Sequence, residues 1–260
     1  PGTGKTTIIK CIIEIFETCG LKVLLGAPTG RAAKRMSEST GKEATTIHRM
    51  LDMGVFEKEE SVFVTNAEEH SLEADVVIID EASMIDITLM NALLKSIKVG
   101  TRLIIVGDVD QLPSVGAGNV LNDFIESGFT KVVRLKEIFR QGKESMIVVN
   151  AHKINKGEMP KLNEKGTDFF FIRNDIQEGI LNTIIDLINT RLPKFNSNWD
   201  KLKSIQVLVP MKKGVLGVTN LNERIQNVLN PKAPYKKEKE FRSMVFREGR
   251  SEEHTSELQS

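Results

Sequence analysis

The spacing of apolar residues divides the first half of the chain into alternating helical and strand segments. Isoleucines after residue 7 recur at helical spacing, which predicts an amphipathic helix that ends at Gly20. Continuous apolar runs predict buried strands over Val23–Leu25, Val76–Asp80 and 102–108, with helices over 30–39 and 85–98 between them. This alternation predicts an α/β fold, in which a parallel sheet carries helices on both faces.

A second α/β unit is predicted to begin after Phe129. Its predicted strands are 131–135, 168–172 and 205–210, and its predicted helices are 144–155, 177–192 and 221–230. We therefore expect one domain over 1–128, with a small hairpin excursion near 52–73, and a partial second domain over 129–249. Residues 250–260 resemble the translation of a sequencing adapter, and we expect them to be a non-native tail.

Composition excludes some classes of protein. The formal net charge is +1, so that any nucleic-acid surface must come from local clusters of charge. No apolar run approaches the roughly 18 residues that cross a bilayer, and no membrane partner is expected. Because no secretory signal is visible and two cysteines are most simply reduced thiols, we expect a cytoplasmic protein.

The first seven residues, PGTGKTT, match the second half of the phosphate-binding pattern G-x-x-x-x-G-K-[ST], without its leading glycine. In such a loop, backbone N–H groups surround the phosphates, Lys5 reaches the β- and γ-phosphates, and the Thr6 hydroxyl binds Mg²⁺. The alternative is a glycine-rich turn before a helix. The loop predicts ATP and Mg²⁺ as cofactors, held by Gly2, Thr3, Gly4, Lys5, Thr6 and Thr7.

Acidic and amide side chains follow two of the predicted strands. Asp80 can hold Mg²⁺ and Glu81 can activate the attacking water, because ligands of open α/β sheets bind at the carboxyl ends of strands. An acidic pair in this place can also cap a helix. Gln111 can sense the γ-phosphate, whereas Asp108 is expected to cap its loop. Pro113 and Ser114 lead towards a possible nucleic-acid surface, and Gly107, Gly116 and Gly118 are interpreted as ordinary loop glycines.

The order of the motifs resembles that of RecD-like DNA helicases of superfamily 1. The matching segments are GTGKTT, GAPTGRAAKRM, TIHRML, VVIIDEAS, GDVDQLPSVGAG, EIFRQ and NAHKIN. The resemblance implies two RecA-like domains, the second incomplete here, with ATP between them. It also implies an ATP-hydrolysing helicase that moves 5′→3′ on single-stranded DNA and acts at duplex junctions.

The resemblance assigns further residues. Thr29 and Arg31 match a motif that contacts the DNA backbone, and Thr46 and His48 match a second DNA-contacting motif. Arg140 is similar to the arginine finger that reaches the γ-phosphate from the second domain. The alternatives are a helix cap for Thr29, a structural histidine for His48 and a solvated helix position for Arg140.

The resemblance also leaves the biological context open. We expect a role in DNA repair or recombination. The alternatives are the ATPase part of a recombination nuclease or conjugative relaxase, and a P-loop ATPase that does not translocate. In this family, further residues precede the position of Pro1 and follow that of residue 249. We therefore expect a fragment truncated at both ends with weak or no activity, and its protein partners are left open.

Overall fold

The computed structural model describes residues 3–53, 71–135, 145–241 and 244–249. The chain divides into two compact units, Pro1–Phe170 and Phe171–Ser260. The boundary expected after residue 128 stays a prediction. The hairpin excursion expected near 52–73 falls mostly on residues outside the described ranges, as does the tail over 250–260.

The first unit contains a parallel four-stranded sheet, as the apolar runs predict. Its strands lie in the order β2-β1-β3-β4, where β1 is Val23–Ala27, β2 is Ala44–Thr46, β3 is Val76–Ile79 and β4 is Arg102–Ile105. The sequence did not predict β2. The helices of the first unit are α1 (Lys5–Thr18), α2 (Gly30–Thr40), α3 (Ile47–Met50), α4 (Ile87–Ser96), α5 (Val120–Glu126) and α6 (Met146–Asn155), with a 3₁₀ turn at Ala82–Met84.

Strand β3 is the centre of the unit. Its four side chains are fully buried and point alternately to opposite faces. Val76 and Ile78 join the apolar cluster that contains Ile9 and Ile13 of α1, whereas Val77 and Ile79 join a cluster formed with α3, α4 and α5. Burial of each such side chain contributes about 1.5–3 kcal/mol, so that β3 holds both layers of the α/β fold together.

Side-chain caps fix where the helices of this unit begin. The Thr29 hydroxyl accepts a hydrogen bond from the Ala32 N–H at 3.2 Å, and Asp86 accepts one from the Leu89 N–H at 2.8 Å. The start of α6 is held by a distant residue, because Asp168 accepts bonds from Ser145 Oγ at 2.5 Å and from the Ile147 N–H at 3.1 Å. These bonds, that of Ser145 first, lower the pKa of Asp168.

The second unit contains α7 (Gln177–Asp186), a π-helical turn (Leu187–Arg191), α8 (Leu192–Phe195) and α9 (Val218–Leu229). An antiparallel hairpin follows, formed by β5 (Glu238–Phe241) and β6 (Met244–Arg247).

The helices predicted in the second half are present, whereas the strands predicted over 131–135, 168–172 and 205–210 were wrong. Val133 and Leu208 remain 84% and 83% exposed. A parallel strand is stabilised by hydrogen bonds from its neighbours, and an apolar run without a paired neighbour has none of these bonds.

Candidate nucleotide site and nucleic-acid groove

The start of α1 is built to receive an anion. Gly4 precedes the helix in a left-handed conformation, with φ of 80°, and no side chain among the described residues caps the helix. The first N–H groups of a helix have no partner within it and carry partial positive charge, so that they attract phosphate oxygens. Thr6 and Thr7 are exposed beside them, and Gly2 lies outside the described residues.

Lys5 forms an ion pair that the sequence did not predict. Its Nζ lies 3.0 Å from Oδ2 of Asp108, which follows strand β4. Asp108 also caps its loop as expected, because Oδ1 accepts the Asp110 N–H at 3.2 Å. Burial raises the pKa of Asp108, but the hydrogen bond and charge of Lys5 outweigh it and leave this pKa below its ordinary value.

The two predicted acids lie at the end of β3. The Asp80 N–H donates to the Gly26 carbonyl at 3.0 Å, and Asp80 Oδ1 accepts the Glu81 N–H at 2.8 Å. Burial raises the pKa of both carboxyls, and for Glu81 the charge of Asp80 raises it further. The positive charge of Lys5 lowers the pKa of both carboxyls, but not enough to cancel the increase that burial causes. The structure therefore brings Lys5, Asp80 and Glu81 together, as predicted, and adds Asp108.

Two features of Glu81 are energetically unfavourable. Its backbone is left-handed, with φ of 53° and ψ of 39°, which is unfavourable for a residue with a β-carbon. Its Oε2 is buried and accepts no hydrogen bond from the described residues. Penalties of this kind are typical of functional positions, where the surrounding fold imposes them.

The oxygen donors of this site fit Mg²⁺. The described residues contain no cluster of three or more His, Cys, Asp or Glu side chains that could enclose a metal ion. Mg²⁺ is commonly held by one or two carboxylates, with water and nucleotide phosphates as the other ligands. Asp80 and the exposed Thr6 hydroxyl would supply such ligands. A cation there would offset the energetic cost of burying the carboxylates of Asp80 and Glu81.

The other predicted catalytic residues are Gln111 and Arg140. Gln111 is exposed, and its N–H donates to the Asp108 carbonyl at 3.1 Å, so that it shares the loop of Asp108. Arg140 lies outside the described residues. Their roles stay predictions.

A groove of about 230 Å³ collects four of the six predicted DNA-binding residues. These four are Thr29, His48, Pro113 and Ser114. Apolar side chains complete the groove, among them Met53, Met84 and Leu89. The loops after β1 and β4 therefore meet at one surface.

Arg31 and Thr46 do not line this groove. Arg31 is exposed in the first turn of α2, and Thr46 caps α3 by accepting the Arg49 N–H at 3.2 Å. The structure thus assigns helix caps to Thr29 and Thr46. Each hydroxyl that accepts a bond still has a proton to donate, so that a cap can also contact a phosphate oxygen.

Two glycines that the sequence presented as ordinary loop residues are required by close packing. A β-carbon at Gly107 would lie 2.7 Å from Leu121 Cδ2 and 3.2 Å from the backbone nitrogens of Ala82 and Ser83. The segment before Asp108 is thereby pressed against the turn after Glu81. Gly116 is similarly pressed against Asp86, and only Gly118 keeps the expected character, with φ of 98° in a loop.

The described part of the chain contains no helix with the length and hydropathy of a membrane span.

Comparison with known proteins identifies the family. The profile of the AAA domain family matches residues 1–177. The chain is 36% identical over 231 residues to the ATP-dependent RecD2 DNA helicase of Deinococcus radiodurans, which covers 89% of this chain and 30% of that protein. It is 37% identical over 166 residues to the RecBCD enzyme subunit RecD of Mycolicibacterium smegmatis, covering 55% of this chain and 29% of that protein.

Among solved structures, the Pif1 helicase from Candida albicans matches with a TM-score of 0.45 and 22% identity, covering 80% of this chain and 50% of that one. The chain spans about a third of the length of the two curated relatives. It belongs to the AAA domain family, and the resemblance to RecD-like DNA helicases is confirmed by its relatives.

Proposed function

We propose that the protein is an ATP-dependent DNA helicase or translocase that moves 5′→3′ on single-stranded DNA and unwinds duplex DNA at junctions. The observation that carries this proposal is the convergence of Lys5, at the start of α1, with Asp80 and Glu81 at the end of β3. The groove that contains Thr29 and Ser114 belongs to the same unit. The 5′→3′ direction is supported by the family resemblance alone.

In the proposed reaction, the N–H groups at the start of α1 and the Lys5 ammonium bind the nucleotide phosphates. Mg²⁺, when bound by Asp80 and Thr6, supplies positive charge to the phosphate oxygens. Glu81 orients the attacking water and accepts its proton. Its raised pKa supports this role, since a buried carboxylate is a stronger base than a solvated one.

Gln111 and Arg140 are proposed to act on the γ-phosphate. Gln111 follows Asp108, which contacts Lys5, so that a change at the phosphates can reach the loop that contains Pro113 and Ser114. An arginine finger contributes about 10³–10⁵ in rate in other nucleotide hydrolases.

The DNA backbone is proposed to contact Thr29, His48, Pro113 and Ser114 in the groove, and Arg31 and Thr46 outside it. Hydroxyl, N–H and guanidinium donors at helix starts favour phosphate oxygens, which supports this assignment. We propose a cytoplasmic location and a role in DNA repair or recombination. The free, exposed thiols of Cys11 and Cys19 support the location, because such thiols are common in a reducing compartment.

Three related functions are the alternatives. The ATPase part of a recombination nuclease is favoured by the relative named as a RecBCD enzyme subunit. The ATPase part of a conjugative relaxase and a P-loop ATPase that does not translocate are the others.

The test is the rate of ATP hydrolysis with and without single-stranded DNA, followed by a strand-displacement assay. Stimulation by DNA supports a DNA-dependent motor, whereas nucleotide hydrolysis that ignores DNA would favour the non-translocating ATPase. The Glu81→Gln variant is the control for contaminating hydrolases.

A further inference from the structure

Asp108 and nucleotide phosphates have the same partner. The Lys5 ammonium has three N–H donors and one positive charge, and Asp108 Oδ2 takes one of those donors at 3.0 Å. The two groups are partly buried, with 24% and 15% of their side chains exposed, so that water screens the pair less than a surface pair. A phosphate that binds Lys5 must therefore share or displace a carboxylate.

The backbone beside Asp108 is held by hydrogen bonds and close packing. The Val106 N–H donates to the Ile79 carbonyl at 2.8 Å, and the Ala82 N–H donates to the Val106 carbonyl at 3.0 Å. Gly107 then allows the chain to pass directly against the turn at Ala82. The β3 and β4 ends therefore hold the backbone beside Asp108 in place, and the carboxylate can leave Lys5 by a rotation of either side chain.

We infer that Asp108 is a positioning residue that competes with nucleotide phosphates for Lys5. The inference rests on the proposed ATP site and adds a residue that acts through Lys5. Asp108 fixes the direction of the Lys5 side chain and reduces its affinity for phosphate.

The same carboxylate connects Lys5 to the groove loop. Oδ1 accepts the Asp110 N–H, and the Asp108 carbonyl accepts the Gln111 N–H, whereas Oδ2 contacts Lys5. One side chain thus joins the nucleotide site to the first turn of the loop that continues to Ser114. Phosphate binding at Lys5 therefore changes the partner of Oδ2 on the same carboxylate whose Oδ1 accepts a bond from the loop.

The test measures ADP affinity of the whole chain by calorimetry in the absence of Mg²⁺. Asp108→Asn keeps an acceptor for the Asp110 N–H and removes the charge. We expect ADP to bind about tenfold more tightly. The loss of a competing charge-assisted hydrogen bond corresponds to a change of about this size in the binding constant. Asp108→Ser should show the same gain, because its hydroxyl can also accept the loop bond, and it carries the test if Asp108→Asn does not fold.

Two controls separate the effect of the Lys5–Asp108 ion pair from the effect of negative charge elsewhere on the loop. Asp110→Asn removes one charge from the same loop but keeps the Lys5 contact, and its ADP affinity should stay within about twofold of wild type because it is exposed. In a Lys5→Ala background, Asp108→Asn should lose its effect, because the shared partner is gone.

If Asp108→Asn and Asp110→Asn increase ADP affinity equally, the role of Asp108 is overturned. The same holds if Asp108→Asn increases ADP affinity in the Lys5→Ala background. Neither result contradicts the proposed ATP site. Absence of ADP binding in the wild type, together with an unchanged Lys5→Ala, would instead overturn the nucleotide site and this inference with it.

Discussion

Gly116 lies directly against the side chain of Asp86, so that a β-carbon on the glycine would be 2.7 Å from the Asp86 β-carbon. Asp86 caps α4 by accepting the Leu89 N–H, and both Asp86 and Gly116 line the groove. The shape of the groove and the start of α4 therefore depend on one contact.

The first prediction concerns that contact. Gly116→Ala should displace Asp86 and lower the free energy of unfolding by about 1–3 kcal/mol, the usual effect of overpacking. It should also weaken binding of single-stranded DNA. Gly30→Ala is the matched control, because a β-carbon there meets open space. Urea unfolding and a DNA titration measure the two effects, and a Gly116→Ala protein as stable as Gly30→Ala would contradict the prediction.

The second prediction separates nucleotide binding from hydrolysis. Glu81→Gln keeps the shape of the side chain but removes its basicity, so that ADP affinity should be retained while phosphate release slows by about 10²–10⁴. Single-turnover phosphate release measures the loss. Lys5→Ala is the contrasting variant, since it should weaken ADP binding itself. Undiminished hydrolysis in Glu81→Gln would remove Glu81 from the reaction.

The third prediction tests the DNA surface. Arg31→Ala should weaken binding of all single-stranded sequences about equally and reduce the salt dependence by about 0.7 in the slope of log affinity against log salt. Lys95→Ala is the control, because it removes an exposed positive charge from the last turn of α4, away from the end that lines the groove. If both variants keep the wild-type slope, Arg31 is structural.

The fourth prediction concerns acid stability and Asp168. Hydrogen bonds from Ser145 and the backbone lower its pKa in the folded chain, so that its stabilisation is present above the ordinary pKa of about 3.9. This stabilisation disappears as the pH falls through the lowered value. Asp168→Asn should therefore be less stable than wild type at pH 7, and the two proteins should converge in strong acid. A stability difference that does not change between pH 7 and pH 2 would contradict this.

The sequence predicted the parts of the fold that depend on local pattern. Apolar runs flanked by turns located β1, β3 and β4, and the helical spacing located α1 and α2. Strand β2 was missed because the three residues Ala44–Thr46 are too short to show alternation. The strands expected over 131–135 and 168–172 failed because pairing depends on neighbours that a run of apolar residues cannot specify.

The candidate site shows the same division. Lys5, Asp80 and Glu81 were predicted from local motifs at strand ends, and the parallel sheet brings them together. The contact of Lys5 with Asp108 joins residues 103 positions apart, and only the position of Asp108 after a strand hinted at it. The packing of Gly107 and Gly116 likewise depends on partners from other segments.

The left-handed backbone of Glu81 lowers the stability of the fold at a residue that is proposed to take part in hydrolysis. Glycine adopts this conformation freely, and it has no carboxylate oxygen to bury. Glu81→Gly should therefore raise the free energy of unfolding by about 1–2 kcal/mol while it abolishes hydrolysis, and thermal denaturation beside phosphate release would show it. A more stable chain that no longer hydrolyses ATP would show that the strained backbone of Glu81 accompanies its proposed role in the reaction.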